Sequence, residues 1–545
     1  MDTSSAISTL EREQTLDALE TSRFDCLVIG GGITGAGVAR EAVRRGLSVA
    51  LLEAVDFGGG TSGRSSKLIH GGLRYLAQGD IALVRETALE RKHVHRLAPH
   101  LAAPAWMVIP VRSRASLLKF RTAVTAYEKL GAVESKDLHR VWNSAELEQH
   151  EPLINRDQYP RACVYREYVT DDARLVLANL RAAVSGGAVV ASHARVDTVL
   201  KENGQASGVE GVCEISGRRF RVRGRCVVNA AGPWVEAVRK LEDPRAASVL
   251  HLSKGIHVVF PRDRLPVNHL VILSAPDGRS VFAVPRGSVV YVGTTDTTYG
   301  KTADLWPGIE RKEVEYLLEP LSRYFSMDRL EARDCVAAWS GLRPLVAQDG
   351  LESSEISRKD EIWRGPTSVI TIAGGKLTGY RKMAAGVLEH VGAVLGGSLA
   401  EPPTEEDPLP GGNFPGDLAA WAGELAHDFE IDERQAERLA GLYGSEAPEL
   451  LRLDSRPIVG QAPVVAGEVE WAVRYEGAVT LEDVLYRRMR VAIYEPECCP
   501  LLVEPVARRL AALLSWDDAR LQREIAEVNE RLRRDLDFSL EGATP

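Results

Sequence analysis

Asp25-Cys-Leu-Val-Ile-Gly-Gly-Gly-Ile-Thr-Gly-Ala-Gly37, with Glu53 closing the apolar run Leu47-Ser-Val-Ala-Leu-Leu52, reads as strand, glycine turn, helix, strand and acid. Gly30, Gly32 and Gly35 fall in GxGxxG spacing directly after the strand. The first allows a tight turn, the second lets backbone approach a pyrophosphate, and the third lets the helix lie close to the strand. The helix from about Ile33 to Arg45 aims free amides and its positive end at that pyrophosphate. Glu53 stands where a carboxylate accepts ribose hydroxyls, so FAD or NAD is expected before NADP.

Outward from this unit, the 545 residues allow two or three domains, and 45% hydrophobic with 26% charged residues is the composition of a globular protein. The 76 acidic residues against 67 basic ones leave a net charge of −9, which offers no bulk attraction to nucleic acid. Any anion site must therefore be a local cluster. Seven scattered cysteines without a CxxC pair argue against a disulfide framework and against zinc or iron–sulfur ligation; no metal is expected, and a reducing compartment is. Residues 1–22 lack an apolar core and read as a flexible or loosely helical arm, not a signal peptide. The expected location is cytoplasmic, with membrane contact limited to the periphery of the cytoplasmic face.

The fold class expected is α/β: a Rossmann-type dinucleotide-binding domain, an FAD-binding domain by the resemblance its motifs carry, interleaved with an antiparallel-sheet substrate domain, plus a C-terminal helical domain. The expected spans are 21–100, 165–250 and 365–395 for the first, 101–164 and 251–364 for the second, and 405–545 for the third. The antiparallel strands are read at Val258-Val-Phe, Val281-Phe-Ala-Val-Pro and Val289-Val-Tyr-Val-Gly. Glu401-Pro-Pro-Thr-Glu-Glu-Asp-Pro-Leu-Pro-Gly-Gly reads as an exposed linker. Leu521, Ile525, Val528, Leu532 and Leu536 form a helical stripe that can cover its own domain, the favoured reading, or pair two chains as a homodimer.

Two further runs carry chemistry. Thr61-Ser-Gly-Arg-Ser-Ser-Lys-Leu-Ile-His-Gly-Gly-Leu-Arg-Tyr75 concentrates hydroxyls, amides and three cations close behind Glu53. Gly374-Gly-Lys-Leu-Thr-Gly-Tyr-Arg-Lys382 follows a strand-like Val369-Ile-Thr-Ile-Ala; its spacing is wrong for a nucleotide P-loop and suits a turn facing the redox end of a cofactor. Asp171 and Asp172 read as a helix cap, not as a catalytic acid pair.

The runs "GGGITGAG", "TSGRSSKLIHGGLRYL", "TDDARLVLANL", "VVNAAGPW", "KGIHVVF", "VGTTDTTYG", "WSGLRPL" and "GGKLTGYRK" together resemble, in content and order, the FAD-dependent glycerol-3-phosphate dehydrogenases; "YEGAVTLEDVLYRRMR" resembles that family's helical cap. The resemblance implies noncovalent FAD held by Gly30, Gly32, Gly35, Glu53, Thr61, Ser62 and Lys67, with Gly375, Leu377 and Thr378 against the flavin. It implies a substrate surrounded by Arg74, Tyr75, Arg343, Arg358 and Lys376. His70 is placed beside the cofactor, and His257, whose ordinary pKa lies near neutrality, is the expected base, acting with Arg343 and Lys376.

The implied reaction is oxidation of sn-glycerol 3-phosphate to dihydroxyacetone phosphate by hydride transfer to flavin, with electrons passed to a quinone. An oxygen-using oxidase, an amino-acid or amine oxidase on the same fold, and a flavin-binding scaffold remain the alternatives. One departure stands out: where the family often has an apolar membrane-facing stretch, this chain has the more charged Val111-Arg-Ser-Arg-Ala-Ser-Leu-Leu-Lys-Phe-Arg121.

Overall fold

The structure is a computed structural model that describes residues 5–72, 81–348, 356, 359–400, 404–460 and 462–539. Its first sheet runs Glu361–Arg364, Ile370–Ala373, Arg219–Asn229, Arg23–Ile29, Val49–Leu52, Val189–Ala191, and the strands from Ile370–Ala373 to Val189–Ala191 are parallel. Burial on both faces explains the unbroken apolar runs in the sequence. Cys26 and Val28 join a core shared with the helices Ile33–Arg44, Asp172–Ser185 and Tyr380–Leu395. Leu27 and Ile29, pointing the other way, meet Leu16 and Leu19 and the hairpin Ala194–Glu202 with Gln205–Cys213.

The second sheet runs Thr297–Thr298, Leu250–Pro261, Val289–Gly293, Ser280–Arg286, Leu270–Ser274, Ala102–Val111, Arg161–Thr170, Leu68–Ile69. Ala337–Val346 pairs antiparallel with Leu250–Pro261 over ten residue pairs from Leu250↔Val346 to Val259↔Ala337. Within it, Val258 and Phe260 pack with Val314, Leu317 and Leu321 of helix Arg311–Tyr324.

Several spans sit differently from their sequence expectation. Leu68–Ile69 belongs to the second sheet, Arg161–Thr170 runs through the expected boundary at 164, and Glu361–Arg364 belongs to the first sheet. Strand pairing is a long-range choice that local composition does not contain. The amino-terminal arm is docked: Arg12–Thr21 is a helix that buries Leu16 and Leu19, and Arg12 donates to Ser192 O at 2.6 Å. The described part of the proline-rich linker, from Thr404 onward, is also packed, with Thr404 and Leu409 buried and Arg40 donating to Thr404 O at 3.1 Å and Asp407 O at 2.7 Å.

Helices dominate beyond the linker, and Leu521 and Val528 of Asp518–Arg534 bury into that region's own core, flanked by Ile525 and Leu532, while Leu536, past the end of that helix, packs on the core beside the second sheet. This region grips the rest of the chain through charge. Residues Asp483–Arg488 form a π-helix, which brings Arg487 and Arg488 together onto Asp56, a carboxylate with no exposure. Asp483 pairs with His193 at 3.1 Å and with Arg487 at 2.8 Å. Burial alone would raise the Asp483 pKa, yet His193 and the two arginines hold it well below the usual carboxylate value. Arg490 reaches Asp171 at 3.0 Å and Asp172 at 2.9 Å, and Arg174 meets Glu476 at 2.6 Å.

Asp56, His193 and Asp483 also converge closely enough to suggest a metal site, but arginines already neutralise both carboxylates. Removing Arg488 leaves the buried Asp56 with Arg487 as its one remaining guanidinium partner and takes away two of its charge-assisted hydrogen bonds. Arg488→Met should lower stability by about 3–5 kcal/mol, seen as an earlier urea midpoint by tryptophan fluorescence. Asp56→Asn combined with Arg488→Met should lose less than the sum of the single changes.

Candidate cofactor and substrate site

Where the two sheets meet lies a cavity of about 720 Å³, within the usual range for a small-molecule or cofactor site. Its walls include Gly30, Gly32, Glu53, Thr61, Ser62, His70, Gly375, Leu377 and Thr378, all expected from the sequence as cofactor contacts.

At the dinucleotide end, Gly30 has φ of +111°, and a side chain there would strike the Ala230 carbonyl. Gly35 does not line the cavity; its missing Cβ leaves room for the Gly30 carbonyl, which is the close helix–strand approach expected of it. Ser62 Oγ accepts from Ile33 N at 2.9 Å, while the next first-turn amides lack helical acceptors by geometry. Glu53 accepts from Gly31 N at 2.7 Å and Val55 N at 2.9 Å. Burial pushes its pKa up, and those two amides oppose the rise. This oriented carboxylate, the side-chain-free turn and the helix start suit the ribose and pyrophosphate of FAD.

At the other end, the turn after Ile370–Ala373 uses Gly374 and Gly375 at φ of +80° and +83° to bring Lys376 to the cavity wall. Thr378 Oγ1 accepts from His70 N at 3.1 Å and donates to His70 O at 3.2 Å, locking this turn to the serine-rich run.

His257 and Arg343 come from paired strands of the second sheet and line the same cavity. Arg343 Nη2 donates to Thr294 Oγ1 at 2.9 Å and Thr295 O at 3.1 Å, and Nη1 lies 3.5 Å from Asp296. A side chain on Gly255 would overlap this guanidinium, and one on Gly293 would overlap the His257 ring. The imidazole stacks on Trp339 at 4.7 Å and its Nε2 lies 2.9 Å from Ser66 Oγ. Burial, then the charges of Lys67 and Arg343, push the His257 pKa well below the usual histidine value, so the ring is neutral.

Lys67 corrects a sequence expectation. It has no exposure and is absent from the cavity wall, because Nζ bonds Asp172 at 2.9 Å and Gly63 O at 3.0 Å. Burial lowers its pKa to about 8 against the opposing pull of Asp172. Asp171 caps the helix Asp172–Ser185, as expected, through Arg174 N. Arg74, Tyr75 and Arg358 lie outside the described residues. Sequence reading missed Ser66, Arg64 and Trp234 on the wall, and the space-making Gly255 and Gly293. Ser66 and Arg64 stood inside a run already singled out; the two glycines gave no local signal.

Comparison with known proteins agrees with this geometry. The FAD dependent oxidoreductase family model matches residues 25–379, and the model for the C-terminal domain of alpha-glycerophosphate oxidase matches 402–521. The aerobic glycerol-3-phosphate dehydrogenase of Bacillus subtilis is 35% identical over 96% of this chain and 97% of its own. Its counterpart in Staphylococcus aureus is 34% identical over 97% and 98%. The crystal structure of the glycerol-3-phosphate dehydrogenase from Bacillus halodurans complexed with FAD superposes with a TM-score of 0.81 at 30% identity, covering 97% of this chain and 99% of that one. The chain therefore belongs to the FAD-dependent oxidoreductase family, in the group of the aerobic glycerol-3-phosphate dehydrogenases.

Proposed function

We propose that this enzyme oxidises sn-glycerol 3-phosphate to dihydroxyacetone phosphate and passes the electrons to a quinone. The observation that carries the reading is the convergence of His257, Arg343 and Lys376 on the cavity that begins at the dinucleotide turn. FAD, when bound, takes the carbon-bound hydrogen of the alcohol as hydride. The chain's own residues bind, orient and move the proton. Arg343 and Lys376 supply charge for a substrate phosphate, and an arginine fork suits its oxygens. Thr294, Thr295 and Asp296 fix that fork before substrate arrives. His257, neutral and buried, accepts the hydroxyl proton. We place Arg74, Tyr75 and Arg358 around the same substrate by family resemblance.

The quinone reading is supported by the lack of a second GxGxxG unit for a nicotinamide partner. No helix among the described residues is long and apolar enough to cross a membrane. Peripheral contact is supported by helix Arg114–Leu130, whose outer face exposes Leu118 at 64% beside Arg114, Lys119 and Arg121. Leu521, Ile525, Val528 and Leu532 pack in their own region and Leu536 on the core beside the second sheet, which gives the homodimer reading no support from that stripe. An amino-acid substrate presents one carboxylate, for which one cation suffices, and an amine presents none, whereas the cavity wall carries both Arg343 and Lys376.

Anaerobic addition of glycerol 3-phosphate should bleach the flavin absorbance, and a quinone analogue should restore it faster than oxygen does. An unchanged spectrum would sink the substrate assignment, and faster return with oxygen would make the protein an oxidase. Gly255→Ala, by displacing the Arg343 guanidinium, should raise KM for the phosphorylated alcohol roughly tenfold or more, as expected for losing a hydrogen bond to a charged group. An unchanged KM would remove Arg343 from the substrate.

The base form of His257 exists above its pKa, and that pKa is lowered, so the acid limb of kcat/KM moves to lower pH. A pH profile should keep full activity below pH 6.5, the ordinary histidine value, and lose it only in more acidic buffer. A limb at or above 6.5 would exclude this imidazole as the base.

A further inference from the structure

We propose that Ser66 is a positioning residue for proton removal: its Oγ accepts the Nε2–H of His257 and leaves Nδ1 as the bare atom that takes the substrate proton. The inference rests on the reading of His257 as proton acceptor and adds the tautomer and the residue that sets it.

A neutral imidazole has one N–H donor and one lone pair, and the bond made by one nitrogen decides the role of the other. His257 is 98% buried, with 2% exposure, and Nε2 lies 2.9 Å from Ser66 Oγ. Nδ1 is buried and meets no hydrogen-bond partner among the described residues, although the residue lines the cavity. Were Nδ1 protonated, an unmet donor would stand in the interior beside the charges of Lys67 and Arg343. With the proton on Nε2, the donor is satisfied by Ser66 and the unmet atom is a lone pair. That lone pair gains its partner when an alcohol O–H enters. The O–H bond of the alcohol would then break towards Nδ1 and a new N–H bond form there, the O–H electron pair closing the carbonyl, while FAD, when bound, would supply the acceptor for the carbon-bound hydrogen and its electron pair.

Ser66 is held firmly enough to set this choice. Its carbonyl accepts from Tyr291 O–H at 3.1 Å, and the carbonyl of Ser65 accepts from Trp339 Nε1 at 3.2 Å. Lys67 N donates to Ser65 Oγ at 2.9 Å, and the Lys67 ammonium is anchored on Asp172. Trp339 is also the ring on which His257 stacks, with planes 10° apart, so one indole registers both members of the pair. Gly293 leaves the space that this arrangement needs. Lys67, expected from the sequence to touch the cofactor, instead fixes the backbone that carries Ser66.

The test uses FAD-loaded enzyme with 15N-labelled histidine, His257 being assigned by the signals lost in His257→Asn. The nitrogen shifts should place the proton on Nε2 in the unaltered protein. In Ser66→Ala that preference should weaken, and the rate of flavin reduction at saturating glycerol 3-phosphate should fall roughly ten- to a hundredfold, less than the full worth of a general base. KM and the flavin absorption spectrum should stay unchanged, and Ser66→Thr, which keeps the hydroxyl, should recover most of the rate. A proton on Nδ1 in the unaltered protein would overturn the proposal. So would a Ser66→Ala reduction rate equal to that of the unaltered protein when His257→Asn is slow. Full reduction by His257→Asn would instead remove the base reading on which the proposal rests, whatever the tautomer found.

Discussion

Burying carboxylates behind the cofactor wall, in the loop of Asp56 and at the helix start of Asp172, is the constraint on which this fold turns. Asp56 lies between Glu53 and Thr61, and Asp172 holds the lysine beside Ser66. Neither acid can stay charged in the interior alone. Their partners arrive from Arg487, Arg488 and Arg490, more than 300 residues along the chain. The helical C-terminal region therefore acts as a counter-ion for the catalytic half, and the π-helix at Asp483–Arg488 sets the spacing that lets two consecutive guanidinium groups share Asp56. Packing alone could have attached such a region; paired charges fix its register as well.

Within the second sheet, the cavity is built as much by missing side chains as by those present. Gly255 and Gly293 lie on adjacent antiparallel strands, and the strand of His257 also pairs with that of Arg343. Each glycine leaves the volume occupied by a neighbouring functional group, Arg343 over Gly255 and His257 over Gly293. His257 and Arg343 are thereby positioned by regular strand geometry, which is more rigid than a loop. On the opposite wall the order is reversed, since two glycines with positive φ let a turn carry Lys376 inward.

The dinucleotide unit was legible because its parts are consecutive: strand, turn, helix and acid lie within 29 residues, from Asp25 to Glu53. Gly30, Gly32 and Glu53 accordingly stand at the cavity. Lys67 was illegible because its motif is genuine while its partner, Asp172, lies 105 residues away. A cation inside a binding motif carries no sign of whether it faces a ligand or a buried acid. The same limit applies to the amino-terminal arm, whose polar sequence hides Leu16 and Leu19 at helical spacing. The linker at Thr404 looked exposed because proline and acid dominate it, and Arg40 and Arg381 reverse that expectation by supplying long-range donors.

These assignments change how an acidic protein holds an anion. Of the cations in the Thr61–Lys67 run, Lys67 is bound to Asp172 and Arg64 stacks on Trp306 with its carbon 3.4 Å from the ring centroid. Burial brings the Arg64 pKa down to about 9, which still leaves it charged near neutrality. The motif's cations thus include groups that stiffen the wall behind the ligand. The charge we propose for the substrate comes instead from Arg343, on a strand of the second sheet, and Lys376, in the turn after a strand of the first, which line one cavity only when both sheets have folded. Assembly of the cationic end therefore requires both sheets, and a dinucleotide domain folding by itself would retain its glycine turn, ribose acid and Lys376 while lacking His257 and Arg343, the residues of the second sheet proposed to act on the alcohol.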